Sequence, residues 1–167
     1  MAEFSVLLPV YAGDIADHFR RAVESVTVEQ TLRPSELVLV QDGPVGEEIA
    51  QVISDVVSGS VTGGVPVRTV RLEENRGLAL ALEEGLKACT HEIVARADAD
   101  DIAVPTRFEK QVPLVAGGID LLGSAITEFQ DDETELGAVR SLPLEHDEIA
   151  EVARFRDPFN HPSVVYR

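Results

Sequence analysis

The stretch Glu92-Ile93-Val94-Ala95-Arg96-Ala97-Asp98-Ala99-Asp100-Asp101 decides how this sequence is read. A short apolar strand, Glu92 to Ala95, runs straight into three carboxylates at Asp98, Asp100 and Asp101. Carboxylates that close repel one another, so a cluster at the end of a buried strand calls for a compensating cation. Oxygen ligands alone favour Mg2+ or Mn2+, which usually also hold a substrate's phosphates. The competing reading is a solvated loop capping the helix that begins near Pro105. Position favours the metal, because the cluster follows the fourth strand of an alternating pattern.

Outward from that stretch, short apolar runs alternate with helically periodic segments. Phe4 to Val10 is a strand carrying Pro9, and Asp14 stands where it can cap a helix to Val26 with Ile15, Phe19, Val23 and Val26 on one face. Glu36 to Val40 is a second strand, closed by Asp42-Gly43-Pro44. A helix follows over Glu47 to Val57, with Ile49, Val52, Ile53, Val56 and Val57 inward. Val67 to Leu72 is a third strand, and Gly77 to Ala88 a helix with Leu78, Leu82, Leu86 and Cys89 at helical spacing. Pro105 suits the first turn of a helix to Leu114. A fifth strand is expected from Ile119 to Phe129, an acidic turn over Asp131 to Glu135, a helix over His146 to Arg154, and a closing strand over Ser163 to Tyr166. Strand–helix alternation with near-continuous apolar strands specifies an α/β fold with a mostly parallel central sheet flanked by helices, Rossmann-like in layout. Ligands then belong at the carboxyl ends of the strands, at Pro9 to Asp14, Gln41 to Pro44, Asn75 to Gly77 and Asp98 to Asp101.

Composition removes several alternatives. The 167 residues carry 30 acidic and 14 basic side chains, a formal charge of −16. That surplus repels a phosphate backbone and an anionic membrane surface, so no nucleic-acid partner is expected. Cys89 is the one cysteine, which permits neither an internal disulfide nor a cysteine zinc cluster. The residues after Met1 do not read as a secretory signal, and no apolar run approaches the roughly 20 residues of a spanning helix, so a cytoplasmic protein is expected. No Gly-x-x-x-x-Gly-Lys-Ser/Thr loop, no Gly-x-Gly-x-x-Gly after the first strand and no Gly-x-Ser-x-Gly elbow occurs.

Four further positions carry chemistry or its ordinary structural counterpart. Asp42 is either a turn residue or an acceptor for a base N–H such as the imide of uracil. Arg76, just before a helix, donates to a base carbonyl or a phosphate, or pairs with Glu73 or Glu74. Tyr11 stacks on a base or packs half-buried. His161, in Phe159-Asn160-His161-Pro162-Ser163, reads as structural from its local sequence.

Taken together, the strand ends resemble family 2 glycosyltransferases. The matching runs are Ser5 to Tyr11, Ser25 with Glu29 to Leu32, Pro34 to Pro44, Asn75 to Ala79, Ala95 to Asp101, Pro105 to Gln111 and Phe159 to Ser163. The Asp-Gly-Pro and Arg-Phe-Glu-Lys-Gln variants look most like the bacterial subgroup building amylovoran-type exopolysaccharides. The resemblance implies a GT-A nucleotide-diphospho-sugar transferase fold and an inverting enzyme acting on a nucleotide-diphospho-sugar, with UDP expected. It implies that Pro9, Val10, Tyr11 and Asp14 line the nucleotide, that Asp42 and Arg76 meet the uracil, and that Asp98 lies near the ribose. Asp98-Ala99-Asp100 matches the family's Asp-x-Asp, with Asp100 on Mn2+ or Mg2+. Asn160 and His161 fall on the acceptor side, toward a saccharide or lipid-linked saccharide. Ala12 departs from the Asn common at that place.

The family's general base lies in an acidic motif after the His-Pro-Ser strand, and Glu128 to Glu135 do not match it. Residues 1–167 are therefore expected to be the N-terminal part of a longer enzyme, with 1–101 the nucleotide-sugar half and 102–167 the start of the acceptor half. The full enzyme can sit peripherally at the inner face of a membrane. Two rival readings stand beside it: a noncatalytic nucleotide-sugar-binding module, and a metal-dependent phosphohydrolase or nucleotidyltransferase using the same aspartates.

Overall fold

A computed structural model describes residues 2–129 and 134–167. Its elements are β1 (Phe4–Tyr11), α1 (Ala16–Val26), β2 (Glu36–Asp42), α2 (Glu47–Val57), β3 (Val67–Arg71), α3 (Leu78–Ala88), β4 (Ile93–Arg96) and α4 (Arg107–Ala116). After them come β5 (Leu121–Leu122), β6 (Ile126–Thr127), β7 (Val139–Arg140), α5 (His146–Val152), a 3-10 turn at His161–Ser163 and β8 (Val165–Tyr166). The main sheet runs β3-β2-β1-β4-β8-β5, with β6 and β7 as a separate ribbon. β3, β2, β1 and β4 are parallel, and β8 inserts antiparallel between β4 and β5.

Both faces of the sheet are covered, which is why β1 is buried from Phe4 to Val10 without polar alternation. On one face Phe4, Val6 and Leu8 pack against Phe19 and Val23 of α1, Ile53 of α2 and Phe108 of α4. Phe4 and Phe108 meet edge to face at 5.0 Å. On the other face Leu7, Val38 and Val40 meet Ala81 of α3.

Pro9 sits inside the central strand because of where β4 stops. Ala97 N–H donates to Leu7 O at 2.9 Å, so Leu7 bonds toward β4 and, by alternation, so does Pro9. The last β4 partner, Arg96, pairs with Leu7, so the proline's missing N–H breaks no ladder bond. The strand order reverses between β1 and β4, and the gap beyond β4 is the switch-point crevice where α/β sheets hold ligands.

Several expectations are corrected. Asp14 does not cap α1: the helix starts at Ala16 without a side-chain cap, Ile15 is exposed, and the Asp14 carboxylate turns back to Tyr11 N–H. Val57 faces water. α3 buries Ala81 and Gly85 rather than Leu78 and Leu86, which are exposed. α4 begins at Arg107, two residues after Pro105. The single fifth strand is two separate pairs of residues, β5 and β6, on different sheets. Of the acidic turn, residues 131–133 lie outside the described residues. No helix among the described residues is long and apolar enough to cross a membrane.

Candidate functional site

Pro9, Val10, Tyr11, Asp14, Asp42, Asn75, Gly77, Asp98 and Asp100 line one cavity of about 370 Å³ at the switch point. Four separate segments supply them, each at or just past the carboxyl end of a parallel strand. The structure thus brings together seven of the eight residues expected on the donor side.

Asp42, at the end of β2, is 4% exposed and is a fastening between two loops. Its two carboxylate oxygens accept the backbone N–H groups of Arg76 at 2.7 Å and Gly77 at 3.0 Å, ahead of α3. Gly43 completes the junction. It has φ +83°, and a Cβ there would stand 2.5 Å from the Asn75 nitrogen. Asp42 is therefore both a turn residue and a wall of the cavity.

Arg76 is the one of the eight expected residues that does not line the cavity. Its side chain is exposed, and it makes no ion pair with Glu73 or Glu74. Tyr11 is 46% exposed at the rim, with Gly13 beneath its ring.

The acidic wall is graded by its partners. Asp14 Oδ2 accepts Tyr11 N–H at 2.9 Å; burial raises its pKa, the Tyr11 bond opposes that, and the charges of Asp100 and Asp98 add to the rise. Asp98 takes both prongs of Arg96, Nε to Oδ1 and Nη2 to Oδ2, each at 3.0 Å. Burial nonetheless holds the Asp98 pKa above its ordinary value, with Asp100 adding to the rise while Arg96 and His161 oppose it. Asp101 is pushed to about 6 by burial and then by Asp100 and Asp98. Asp100 is exposed and, among the described residues, has no hydrogen-bond or ion-pair partner.

The basic counterweight was not legible beforehand as part of the site. Arg96 is 5% exposed on an apolar strand. Arg107 donates from Nη2 to Arg96 O at 2.8 Å and from Nε to Gln111 Oε1 at 3.0 Å. Burial draws its pKa down to about 10, against the pull of Asp101 and Asp98. The available signal was two arginines flanking three aspartates, in a chain with 14 basic residues in all.

Of the two residues expected on the acceptor side, Asn160 is buried, and its amide donates to Ser124 O at 3.0 Å and Arg140 O at 3.3 Å. That makes it a brace between the turn at His161 and the segments leading to β6 and β7. His161 pairs with Asp157 and does not line the cavity.

Among the described residues no group of three or more His, Cys, Asp or Glu stands ready to hold a metal. The donors present are carboxylate oxygens that disfavour one another's charge. They fit a hard divalent cation that takes few protein ligands and completes its shell from phosphate oxygens and water.

The sequence model for "Glycosyl transferase family 2" matches residues 5–164. The chain is 40% identical over 166 residues to the amylovoran biosynthesis glycosyltransferase AmsE of Erwinia amylovora, covering 98% of this chain and 59% of that protein. It is 32% identical to the Escherichia coli UDP-Gal:alpha-D-GlcNAc-diphosphoundecaprenol beta-1,3-galactosyltransferase, over 99% of this chain and 58% of that one. The chain thus spans somewhat under two thirds of these relatives. Among solved structures, S. aureus TarS in complex with UDP-GlcNAc superposes with TM-score 0.67 at 19% identity, over 99% of this chain and 45% of that one. The Pyrobaculum calidifontis mannosyltransferase PcManGT, in complex with GDP-Man and Mn2+, gives TM-score 0.62 at 21% identity, over 73% and 35%. These likenesses show the GT-A fold.

Proposed function

The chain belongs to glycosyl transferase family 2, and from that premise we propose that it carries the donor site of an inverting transferase that moves a sugar from a UDP-sugar to an acceptor hydroxyl. The observation that carries this reading is one switch-point cavity holding the β1 end, the Asp42 fastening and the Asp14, Asp98 and Asp100 carboxylates together. Nucleotide complexes of proteins sharing the fold support a nucleotide-diphospho-sugar as ligand, and the E. coli relative's name supports UDP and a lipid-linked saccharide acceptor. Cell-surface or exopolysaccharide synthesis is the setting, on the cytoplasmic side and peripheral to the membrane.

In this reading Pro9 and Val10 wall the nucleoside and Tyr11 lies against the base. Asp42 already accepts one N–H on each oxygen, and it has lone pairs left for the base imide. Fixing the carboxylate beforehand lowers the ordering cost of that bond. Arg76 has a guanidinium free to reach a base carbonyl or a phosphate. Asp98, held by Arg96, accepts from the ribose.

Asp100 is the residue to hold Mn2+ or Mg2+, which when bound supplies positive charge against the diphosphate. The acceptor oxygen bonds the anomeric carbon as the carbon–oxygen bond to the β-phosphate breaks. The electron pair leaves with UDP, the proton passes to a base, and one displacement inverts the centre. That base is assigned to the length of the relatives that this chain does not span, because the cavity carboxylates Asp14, Asp42, Asp98 and Asp100 are each assigned to the nucleotide or the metal in this reading.

Calorimetry with UDP tests the assignment. Mn2+ is expected to tighten UDP binding to the wild type, and Asp100→Asn to lose at least about tenfold of that gain. Equal affinity in both proteins, with no metal dependence, overturns it.

A further inference from the structure

Resting on that reading, we propose that Arg96 keeps Asp98 out of the metal's ligand set, so that the divalent cation enters with the donor's diphosphate rather than ahead of it. Arg96 is a positioning residue. Its guanidinium meets Asp98 fork to fork, at 3.0 Å on each prong, and so engages both carboxylate oxygens. The arginine has little room to swing away: its side chain is 6% exposed, its N–H donates to Val164 O at 3.0 Å, and its carbonyl accepts Arg107 at 2.8 Å.

The other cavity carboxylates divide the same way. Asp14 has Oδ2 taken by Tyr11 N–H. Of these carboxylates Asp100 is the exposed one, and among the described residues neither of its oxygens has a partner. A single carboxylate holds Mn2+ weakly, and the ligands it lacks are the kind a diphosphate brings. Coupling of this sort is reciprocal, so Mn2+ tightens UDP by the factor with which UDP tightens Mn2+.

Electron paramagnetic resonance of Mn2+, with and without UDP, decides it without any assay of turnover. In the wild type UDP is expected to raise Mn2+ affinity at least about tenfold. Arg96→Met frees Asp98 and is expected to raise affinity for Mn2+ alone about tenfold. The double variant Arg96→Met with Asp98→Asn is expected to return to the wild-type value.

An unchanged Mn2+ affinity in Arg96→Met, in a protein whose UDP binding does depend on Mn2+, overturns the inference while leaving the donor site standing. A gain that survives Asp98→Asn overturns it too, since loss of a positive charge would then explain the gain. UDP binding with no Mn2+ dependence in the wild type overturns the parent reading and this one with it. Where Arg96→Met does not fold, Arg96→Lys, which keeps the charge and loses the fork, is read by the same criteria.

Discussion

Glu36 opens β2 with its side chain 8% exposed, a costly place for a carboxylate unless its charge is answered. Ser5 Oγ donates to Oε1 at 2.6 Å, Thr90 N–H at 2.7 Å and Thr90 Oγ1 at 2.9 Å, which ties the start of the sheet to the turn after α3. Burial by itself raises the Glu36 pKa, but these bonds and nearby His91 outweigh it and hold the carboxyl below its ordinary 4.5. A depressed native pKa means the stabilisation is complete above the unfolded value and is lost as pH falls through the native one. Glu36→Gln is therefore expected to cost about 2 kcal/mol at pH 7. The deficit should shrink as pH drops below 4.5, and urea unfolding across that range reads it directly. A constant deficit at all pH values would show that the charge contributes nothing. Cys89, beside this network, has its thiol pushed up to about 11 by burial, in keeping with a packing role.

α3 shows how packing at the scale of an element overrides the distribution of large side chains. A Cβ on Gly85 would stand 2.4 Å from Leu7 Cδ1 and 2.5 Å from Val40 Cγ2, so the helix lies on the sheet across Ala81 and Gly85. Counting leucines selects a stripe rotated from that line, of which Leu82 and Cys89 pack against the sheet while Leu78 and Leu86 stand exposed, because period alone cannot reveal how closely the backbone approaches the sheet. Gly85→Val is expected to destabilise by about 2–3 kcal/mol through overpacking, and Leu86→Ala by less than about 0.5 kcal/mol as a surface change. Chemical denaturation of the pair settles which face is inward, and equal losses would reject the assignment.

Where burial follows periodicity the sequence is a sufficient guide: α2 runs over Glu47–Val57 as its pattern requires, and β1 to β4 fall where the apolar runs lie. The strand expected to reach Phe129 fails for a local reason. A Cβ on Gly123 would stand 2.8 Å from Phe159, and Ser124 N–H donates to Ser163 Oγ, so the chain leaves the sheet after Leu122. The cavity residues Tyr11, Asp42 and Asp98 were legible because each stands at or just past the end of an apolar run. Arg96 and Arg107 were not, since burial of an arginine beside an aspartate is a tertiary fact that spacing does not carry.

Over the whole molecule the charge of −16 sets a long-range field that works against the ligand the cavity is proposed to bind. A nucleotide diphosphate approaching without a cation is repelled by the protein as a whole, whatever Arg76 offers at short range. Screening weakens that repulsion: the Debye length falls from about 30 Å at 10 mM salt to about 10 Å at 0.1 M. UDP in the presence of EDTA is thus expected to bind about 2–5-fold more tightly at 100 mM NaCl than at 10 mM, opposite to the behaviour of a basic phosphate site. With Mn2+ present the sign should reverse, because the same field concentrates the cation and salt screens that attraction as well. Calorimetry at the two salt concentrations, with and without Mn2+, reads both signs. Metal-free affinity that falls with salt would mean that local arginines, and not the field of the whole chain, govern how the diphosphate arrives.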